Sequence, residues 1–424
     1  MANIAITKKN LLTAPARVQV PWVKVTIGDY TFGVFDRKTK EKIKNKSLSL
    51  TQDIKYPTYV RSLSIIKING QVNQYTLQLH YPVTIADDPN LIEKVISSVS
   101  FSRKIVFSYG DASIPSFTYR EEEAIITGVT QQFNLESGVI EYTFKAVSGA
   151  VAAQTGSFTF INSGKKKPSD EIKRVFKNPK YGLQALFPGL TAKNWNNLIA
   201  GDDLAVTLES KTNISPLDYI LYLVGCMVPA SNTRSNLSTD IYILTIHDDS
   251  VFDAAYQESN TGGAFFKVTR VSSYREHADA YEIDIGFNTP TSVLLFSIDQ
   301  NENYSIFYDY NSKLSTEQYS RRLNNKGEWE DIYSPMFTSG NTSYSTRAED
   351  ISWFSKMTRY PIAATIKLQG LLRPATLMQY VRLNVLFPGG KKHISSGLYI
   401  VTKQLDEIGE SGYFTTLSLT RIGS

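Results

Sequence analysis

The sequence predicts a mainly β protein with minor α content. Short runs alternate apolar and polar residues along much of the chain, and an alternation of period two is typical of strands with one buried face. Aromatic residues, which favour strands, are frequent: the 424 residues include 25 Tyr and 21 Phe. Glycine, proline and asparagine separate the runs at positions typical of hairpin turns.

Length, charge and cysteine content limit the possible classes of protein. A chain of 424 residues is too long for one hydrophobic core and indicates about two to four domains. The 45 basic and 40 acidic residues leave a net charge of +5, too weak an excess to favour a nucleic-acid-binding protein. The single cysteine, Cys226, excludes an internal disulfide and lies in an apolar run typical of a buried thiol. We therefore expect assembly in a reducing cytosol.

Neither a membrane span nor a secretion signal is expected. No apolar stretch approaches the roughly 20 residues that a membrane-spanning helix needs. The segment 1–19 lacks the apolar core of a signal peptide and is interpreted as a polar N-terminal arm.

The segment 20–165 is predicted to form a barrel or sandwich of about seven strands with one helix. Gly28-Asp29 and Asn69-Gly70 each separate two alternating runs, and Asn-Gly supplies the positive φ angles of a type I′ turn. Asp88-Pro89 predicts a helix start with Asp88 as its cap. The strands are expected at Pro21–Ile27, Tyr30–Phe35, Ser62–Ile68, Val72–Tyr81, Lys104–Tyr109, Ala124–Phe133 and Gly138–Ala146.

The segment 166–230 is predicted to be a small α+β domain. The lysine run that begins at Lys165 is interpreted as a solvated linker. Ser169 is interpreted as the cap of an amphipathic helix in which acidic residues precede basic ones. Ser215-Pro216 predicts the start of a second helix.

The segment 231–345 returns to β patterning and is rich in Tyr and Asn. It is interpreted as an accessory domain or as part of a discontinuous second barrel, with a polar loop at 311–345. Its strands are expected at Ile241–His247, Ala264–Val271, Ala280–Phe287, Val293–Ile298 and Tyr304–Tyr310.

The last segment, 346–424, combines a predicted helix at Ala348–Thr358 with a meander of short antiparallel strands. Such a meander is typical of a small closed barrel. Barrel-like patterns near both ends of the chain indicate an internal duplication. The terminal strands are expected at Ala363–Leu368, Val381–Phe387, Ser396–Val401 and Thr415–Thr420.

The polar residues give little support for catalysis. The four histidines form no close pair with one another or with cysteine of the kind that binds metals. His247-Asp248-Asp249 could hold a divalent cation, but aspartates at a strand end more often form a turn. Asp87-Asp88 and Asp202-Asp203 could act as paired carboxylates, although a helix cap and a loop start also explain them. Since no nucleophile elbow or phosphate loop occurs either, we expect no enzymatic activity, metal or cofactor.

A specific order of motifs occupies the end of the chain. An aromatic-bearing helix leads to a Tyr-Pro break, a strand ending in glycine, a second strand, a Ser-Gly-x-Tyr-x-Val strand and a last strand ending in arginine. These elements are Trp353 and Phe354, Tyr360-Pro361, Ala364–Gly370, Arg382–Phe387, Ser396–Val401 and Gly412–Arg421. This order resembles the hub proteins of phage tails and related contractile injection machines.

The resemblance implies two tail-tube-like antiparallel β-barrels with intervening α+β and β-rich domains. It implies a homotrimeric tail or baseplate hub, whose six barrels would adapt a six-fold tail tube to a three-fold central spike or tail tip. The implied partners are further copies of the chain, the tail tube protein, the spike or tip protein and the tape-measure protein. The implied location is the virion tail, after assembly in the host cytoplasm.

Two alternatives stay open. A distal tail protein would form a six-fold ring, and the Tyr- and Asn-rich segment 231–345 is compatible with a carbohydrate-binding tail protein. Neither a membrane nor a specific nucleic acid is an expected partner, although DNA would pass through the lumen. Outward positions of the terminal strands are the candidate contact residues, with a solvated face as the competing interpretation: Lys367, Gln369, Arg382, Asn384, Thr402 and Thr420.

Overall fold

A computed structural model describes most of the predicted elements. It covers residues 21–34, 59–83, 88, 90–98, 104–111, 120–230, 241–248, 264–271, 281–286, 293–300, 317–323, 329–335, 362–369, 377–378, 380–393, 395–409 and 411–423. The predicted arm at 1–19, the strand at 304–310 and the helix at 348–358 lie outside these residues. The described part is mainly β, which confirms the predicted fold class.

The first barrel contains the predicted strands and one helix. All its neighbouring strands are antiparallel, in the order β2-β1-β5-β6-β7-β4-β3. Alternate residues face a shared core, which the helix α1 covers with Ile92 and Val95. The elements are β1 (Pro21–Ile27), β2 (Tyr30–Val34), β3 (Tyr59–Ile68), β4 (Gln74–Pro82), α1 (Leu91–Ser98), β5 (Lys104–Asp111), β6 (Arg120–Asn134) and β7 (Val139–Ser148).

One of the two predicted hairpin turns is confirmed, and the type of the other is wrong. Gly28, with φ of 57°, links β1 to β2 through the predicted two-residue turn. At Asn69-Gly70 the predicted type I′ turn is wrong, because only Gly70 of this pair has a positive φ (71°), as in a type II turn. The Asn69 N–H donates to Thr402 O (3.2 Å) and the Gly70 N–H to Leu244 O (2.9 Å). Contacts with two distant strands therefore hold this turn.

The middle of the chain folds around its own apolar core. The lysine run is not a simple linker, because Lys165–Lys166 pairs with Val206–Thr207. The elements are β8 (Phe158–Phe160), β9 (Lys165–Lys166), α2 (Pro168–Lys177), α3 (Leu183–Leu186), α4 (Trp195–Leu198), β10 (Val206–Thr207), β11 (Lys211–Ile214), α5 (Pro216–Cys226), β12 (Ile241–His247) and β13 (Phe265–Val271), with short 3-10 helices at Gly149–Gln154 and Pro179–Tyr181. The core, here called the middle core, includes Phe160, Ile172, Val175, Leu217, Ile220, Tyr242, Leu244 and Phe266.

Three of the four predicted helices lie within the described residues, and their starts differ. Ser215 accepts a hydrogen bond from the Asp218 N–H (3.1 Å), as predicted. Asp88 accepts one from the Asn90 N–H (3.1 Å), just before α1 begins at Leu91. Ser169 is not the cap of α2, because the helix begins at Pro168 and Ser169 already belongs to its first turn. The Ser169 N–H and hydroxyl instead donate to the buried Asp203 carboxylate. A residue more than thirty positions away therefore caps this helix.

The second barrel has six described strands in the order β14-β19-β20-β21-β18-β15. β14 runs parallel to β19, which departs from the predicted all-antiparallel arrangement. The predicted polar loop at 311–345 contains a separate hairpin, β16–β17. The elements are β14 (Tyr281–Gly286), β15 (Val293–Gln300), β16 (Glu317–Leu323), β17 (Trp329–Pro335), β18 (Ile362–Gln369), β19 (Tyr380–Leu386), β20 (Gly397–Gly409) and β21 (Gly412–Gly423).

The two barrels repeat one strand order. In the first barrel β1-β5-β6-β7-β4-β3 are neighbours, and in the second the same places are taken by β14-β19-β20-β21-β18-β15. Two bulges of each barrel coincide as well, while a further irregularity between β20 and β21, at Leu398–Tyr399, has no described counterpart between β6 and β7. Thr127 in β6 and Thr402 in β20 are both the extra residue of a bulge. Arg61 in β3 and Leu294 in β15 are a second such pair. The repeated strand order supports the internal duplication that the sequence indicated, although β2 has no described counterpart and β14–β19 is parallel where β1–β5 is antiparallel.

A single strand joins the barrels. β20 pairs with β19 at its start and then, from Lys403 to Gly409, pairs with β3 of the first barrel. The sheet is consequently continuous across both barrels. Ile408 and Tyr413, near the turn between β20 and β21, are buried in the core of the first barrel. The second barrel thus completes the core of the first.

Candidate functional site

Several strand edges in the described sheet lack a paired neighbour, and those of β6 and β15 are two of them. β6 pairs with β5 only over Arg120–Ile125, and beyond that its described partner is β7 alone. β15 pairs with β18 alone among the described strands. An edge of this kind presents unpaired backbone N–H and C=O groups, to which another strand can be added.

Exposed apolar side chains cluster at these two edges. Phe133 and Leu135, at the end of β6, are 60% and 90% exposed. Leu294 and Leu295, in β15, are 51% and 56% exposed. None of these four residues is among the predicted contacts, which all lie on the terminal strands. The available signal was an apolar residue, Phe133, within an otherwise polar run of a strand.

The predicted contact residues of β18 lie half-buried on its outward side. Lys367 has its ammonium 3.5 Å from the Glu407 carboxylate and 5.0 Å from the ring centre of Phe414. Gln369 lies opposite Phe414 in the neighbouring strand. These side chains belong to one polar patch, with Lys367 already engaged within the chain.

The other four predicted contact residues are also half-buried. Asn384 donates a hydrogen bond to Asp284 (2.8 Å), and Arg382 lies opposite Leu398, which is buried against the middle of the chain. Thr402 is the bulge residue of β20, and Thr420 lies opposite Ile400. The six predicted contact residues are therefore spread over four strands, β18 to β21.

A buried polar layer lies beside the pairing of β3 with β20. Lys67, at the end of β3, forms an ion pair with the fully buried Glu122 of β6. Tyr75 and Tyr109 donate hydrogen bonds to the Glu122 carboxylate at 2.6 and 2.7 Å. On β20 and β21, Asp406 accepts hydrogen bonds from Gln404 and Thr415, both at 2.6 Å. Most polar atoms of this layer bond to one another inside the sheet, although the buried Gln404 Oε1 has no hydrogen-bond partner among the described residues.

Asp248 brings a third carboxyl to this layer from the end of β12. It accepts hydrogen bonds from Asn73 (2.6 Å), Ser148 and Tyr75 (3.3 Å). Burial raises its pKa to about 7, the hydrogen bond from Ser148 opposes this rise, and the nearby Glu122 charge adds to it. Asp248 thus lies inside the molecule, at the end of β12. Asp249 lies outside the described residues.

The described residues contain no group of three His, Cys, Asp or Glu side chains placed to hold a metal ion. His247 stacks on Phe265 with ring centres 4.7 Å apart and bonds to Thr245. The carboxylate of Asp202 binds Arg270 and Tyr242. Among the helices that the structure describes, none is long and apolar enough to cross a membrane.

Comparison with known proteins gives a match at the level of structure. No family model and no curated protein matches the sequence. A tail protein from Neisseria meningitidis MC58 matches 95% of this chain and 96% of its own, with 9% sequence identity and a TM-score of 0.51. This likeness shows a shared fold and confirms, at that level, the resemblance to phage tail proteins inferred from the sequence.

Two further solved structures are less alike. The 43 kDa tail protein of prophage MuSo2 from Shewanella oneidensis covers 95% of this chain and 98% of its own, at 7% identity and a TM-score of 0.49. A type VI secretion system component from Escherichia coli, described as similar to phage tail proteins, covers 87% and 75%, at 8% identity and a TM-score of 0.42.

Proposed function

We propose that this protein is a non-enzymatic structural component of a phage-type tail or contractile injection machine, and that it acts as a homotrimeric hub. The duplicated barrel supports this proposal most strongly. Two barrels with one strand order and matched bulges give a trimer six similar units. Six similar units match the symmetry of a six-fold tube, while three chains match a three-fold spike.

The fold likeness to the Neisseria tail protein supports the general role in a tail. The proposed partners are further copies of this chain, the tail tube protein on one side, and the central spike or tip protein with the tape-measure protein on the other. The proposed location is the tail or baseplate of the particle, after assembly in the host cytoplasm.

The bonding of the acidic residues supports a non-enzymatic role. Glu122, Asp248 and Asp406 are buried, and each accepts hydrogen bonds from neighbouring side chains of the barrels. A general acid or base must reach a substrate, which groups enclosed in this way do not.

The mass of the purified protein, alone and with its tail tube protein, tests the proposal. Light scattering should give a trimer, or a trimer bound to a six-fold tube ring. A stable hexamer would instead favour a distal tail protein. A monomer that ignores the tube protein over a wide concentration range would contradict the hub, and glycan binding by that monomer would favour the carbohydrate-binding alternative.

A further inference from the structure

The contact between the two barrels within one chain has a defined register. β20 lies antiparallel to β3, with Ile408 opposite Leu63, Glu407 opposite Ser64 and Asp406 opposite Ile65. Ile408 is only 2% exposed, because this pairing places it in the core of the first barrel.

The duplication assigns an equivalent strand to each side of this contact. The bulges at Thr127 and Thr402 align β6 with β20, so that Phe133 takes the place of Ile408. The bulges at Arg61 and Leu294 align β15 with β3, so that Phe296 takes the place of Leu63. In the described part of the chain β6 and β15 do not pair with each other, and each has an edge without a described neighbour.

We propose that the far half of β6 in one copy pairs antiparallel with β15 of a second copy, repeating the contact that β20 makes with β3. The equivalent register places Phe133 opposite Phe296, Gln132 opposite Ser297 and Gln131 opposite Ile298. This interface rests on the proposed hub function and specifies how its copies meet.

Burial explains why the contact is favourable. Phe133 is 60% exposed, whereas its counterpart Ile408 is covered by the adjacent barrel. Phe296 and Ile298 are only partly buried at the margin of the second core, while their counterparts Leu63 and Ile65 are fully buried. Docking β6 on β15 would cover both sets of apolar side chains and satisfy both edges.

The proposed contact between copies determines the form of the assembly. The surface that contains β6 differs from the surface that contains β15, so the contact is heterologous and must close into a ring or continue as a filament. If the contact between copies repeats the contact within a copy, every barrel in the ring meets its neighbours in the same way. Closure at three copies then gives the six barrels of the hub.

A disulfide test measures the register. In a background with Cys226→Ser, a Gln132→Cys protein is mixed with a Ser297→Cys protein under oxidising conditions. Facing residues of an antiparallel pair have a Cα separation that a disulfide can span. We expect a covalent dimer of the two proteins. A Thr130→Cys protein mixed with Ser297→Cys, two residues out of register, should give much less. The intrachain pair Glu407→Cys with Ser64→Cys is the positive control, closing without an increase in mass.

A pair of substitutions measures how much apolar burial contributes to the β6–β15 interface. Phe133→Ser should raise the dissociation constant of the assembly roughly tenfold or more, since it removes a large buried ring from the interface. Leu135→Ser is the matched control, because Leu135 is apolar and exposed but lies beyond the paired register; it should leave assembly unchanged. The disulfide test does not depend on how the Phe133 variant folds.

The outcomes separate this inference from the proposed function. A trimer with the cross-link between positions 132 and 297 supports both. A trimer that lacks the cross-link and responds equally to the two serine variants overturns the β6–β15 pairing but leaves the hub in place. A protein that stays monomeric and gives no cross-link overturns both.

Discussion

Thr127 and Thr402 occupy the same position in the two barrels. Each is the extra residue of a bulge, and each hydroxyl donates to a backbone carbonyl of the partner strand: Lys145 O at 3.2 Å and Ser418 O at 3.1 Å. A shared bulge with a shared side-chain bond is a detail that strand order alone does not require. The bonding of the two threonines therefore strengthens the evidence for duplication and fixes the alignment of the two barrels.

Asp248→Asn should remove a pH dependence from the stability of the protein. The folded pKa of Asp248, about 7, exceeds its ordinary value of 3.8, so its contribution is fully present below the ordinary value and is lost as pH rises through about 7. The loss amounts to at most about 1.4 kcal/mol per pH unit in that window. Thermal unfolding between pH 4 and 8 should show a steeper decline for the wild type than for the variant.

Several other charged or titratable groups lie near Asp248, and they must be the same in both proteins for this comparison to be valid. In the described structure they are Lys67 on β3, Tyr75 on β4, Tyr109 on β5, Glu122 on β6 and the adjacent His247. All remain in the Asn variant, so the difference between the two proteins isolates the Asp248 carboxyl. Parallel curves for the two proteins would show that Asp248 does not titrate in this range.

Lys67→Met should destabilise the fold strongly. The substitution leaves the Glu122 carboxylate buried without its ammonium partner, and breaking a buried ion pair in this way costs about 3–5 kcal/mol. Urea unfolding measures the change. Adding Glu122→Gln should recover much of the loss, because no buried charge is then left unpaired. Equal stability of the single and double variants would mean that the charge of Glu122 is not what the lysine stabilises.

Gly409→Ala should weaken the junction of the two barrels. A Cβ at Gly409 would lie 2.7 Å from the backbone oxygen of Arg61, closer than any packed contact allows. Overpacking of this kind costs about 1–3 kcal/mol. Gly201→Ala is the control, since nothing lies within 4 Å of its Cβ position. Calorimetry should show a lowered melting temperature for the first variant alone, and equal melting temperatures would contradict the close approach.

Asp203→Ala should destabilise the start of α2. Its carboxylate accepts hydrogen bonds from the Ser169 N–H (2.9 Å) and hydroxyl, both of which would lose their partner. Loss of a cap costs about 0.5–2 kcal/mol. Hydrogen exchange of the first-turn amides should accelerate, while the amides of α5, which Ser215 caps locally, should be unaffected. Unchanged exchange at α2 would show that Asp203 does not hold the helix.

The length of β20 shows where sequence patterns stop being informative. The predicted strand ended at Val401, yet the structure continues it to Gly409. The inward-facing residues of the extension, Gln404 and Asp406, are polar, so the alternation that marks a half-buried strand disappears. They are buried because a hydrogen-bonded layer encloses them, and no local pattern reveals such a partner.

The alternation pattern also failed to indicate the proposed β6–β15 interface, for a related reason. Whether Phe133 lies in a closed barrel or at an edge depends on which strands flank β6, and those partners are far away in the sequence. The predicted contact residues on the last strands were chosen by alternation, which distinguishes the two faces of a strand but says nothing about its edges.

The sequence by itself determined the β class, most strand positions, the Gly28 turn and the Ser215 cap, because these depend on side-chain periodicity and local hydrogen bonds. Tertiary structure alone decided the matched strand order of the barrels, the passage of β20 from one barrel to the other, and the burial of Asp248. These features arise from contacts between distant segments, whose energies no short window of sequence contains.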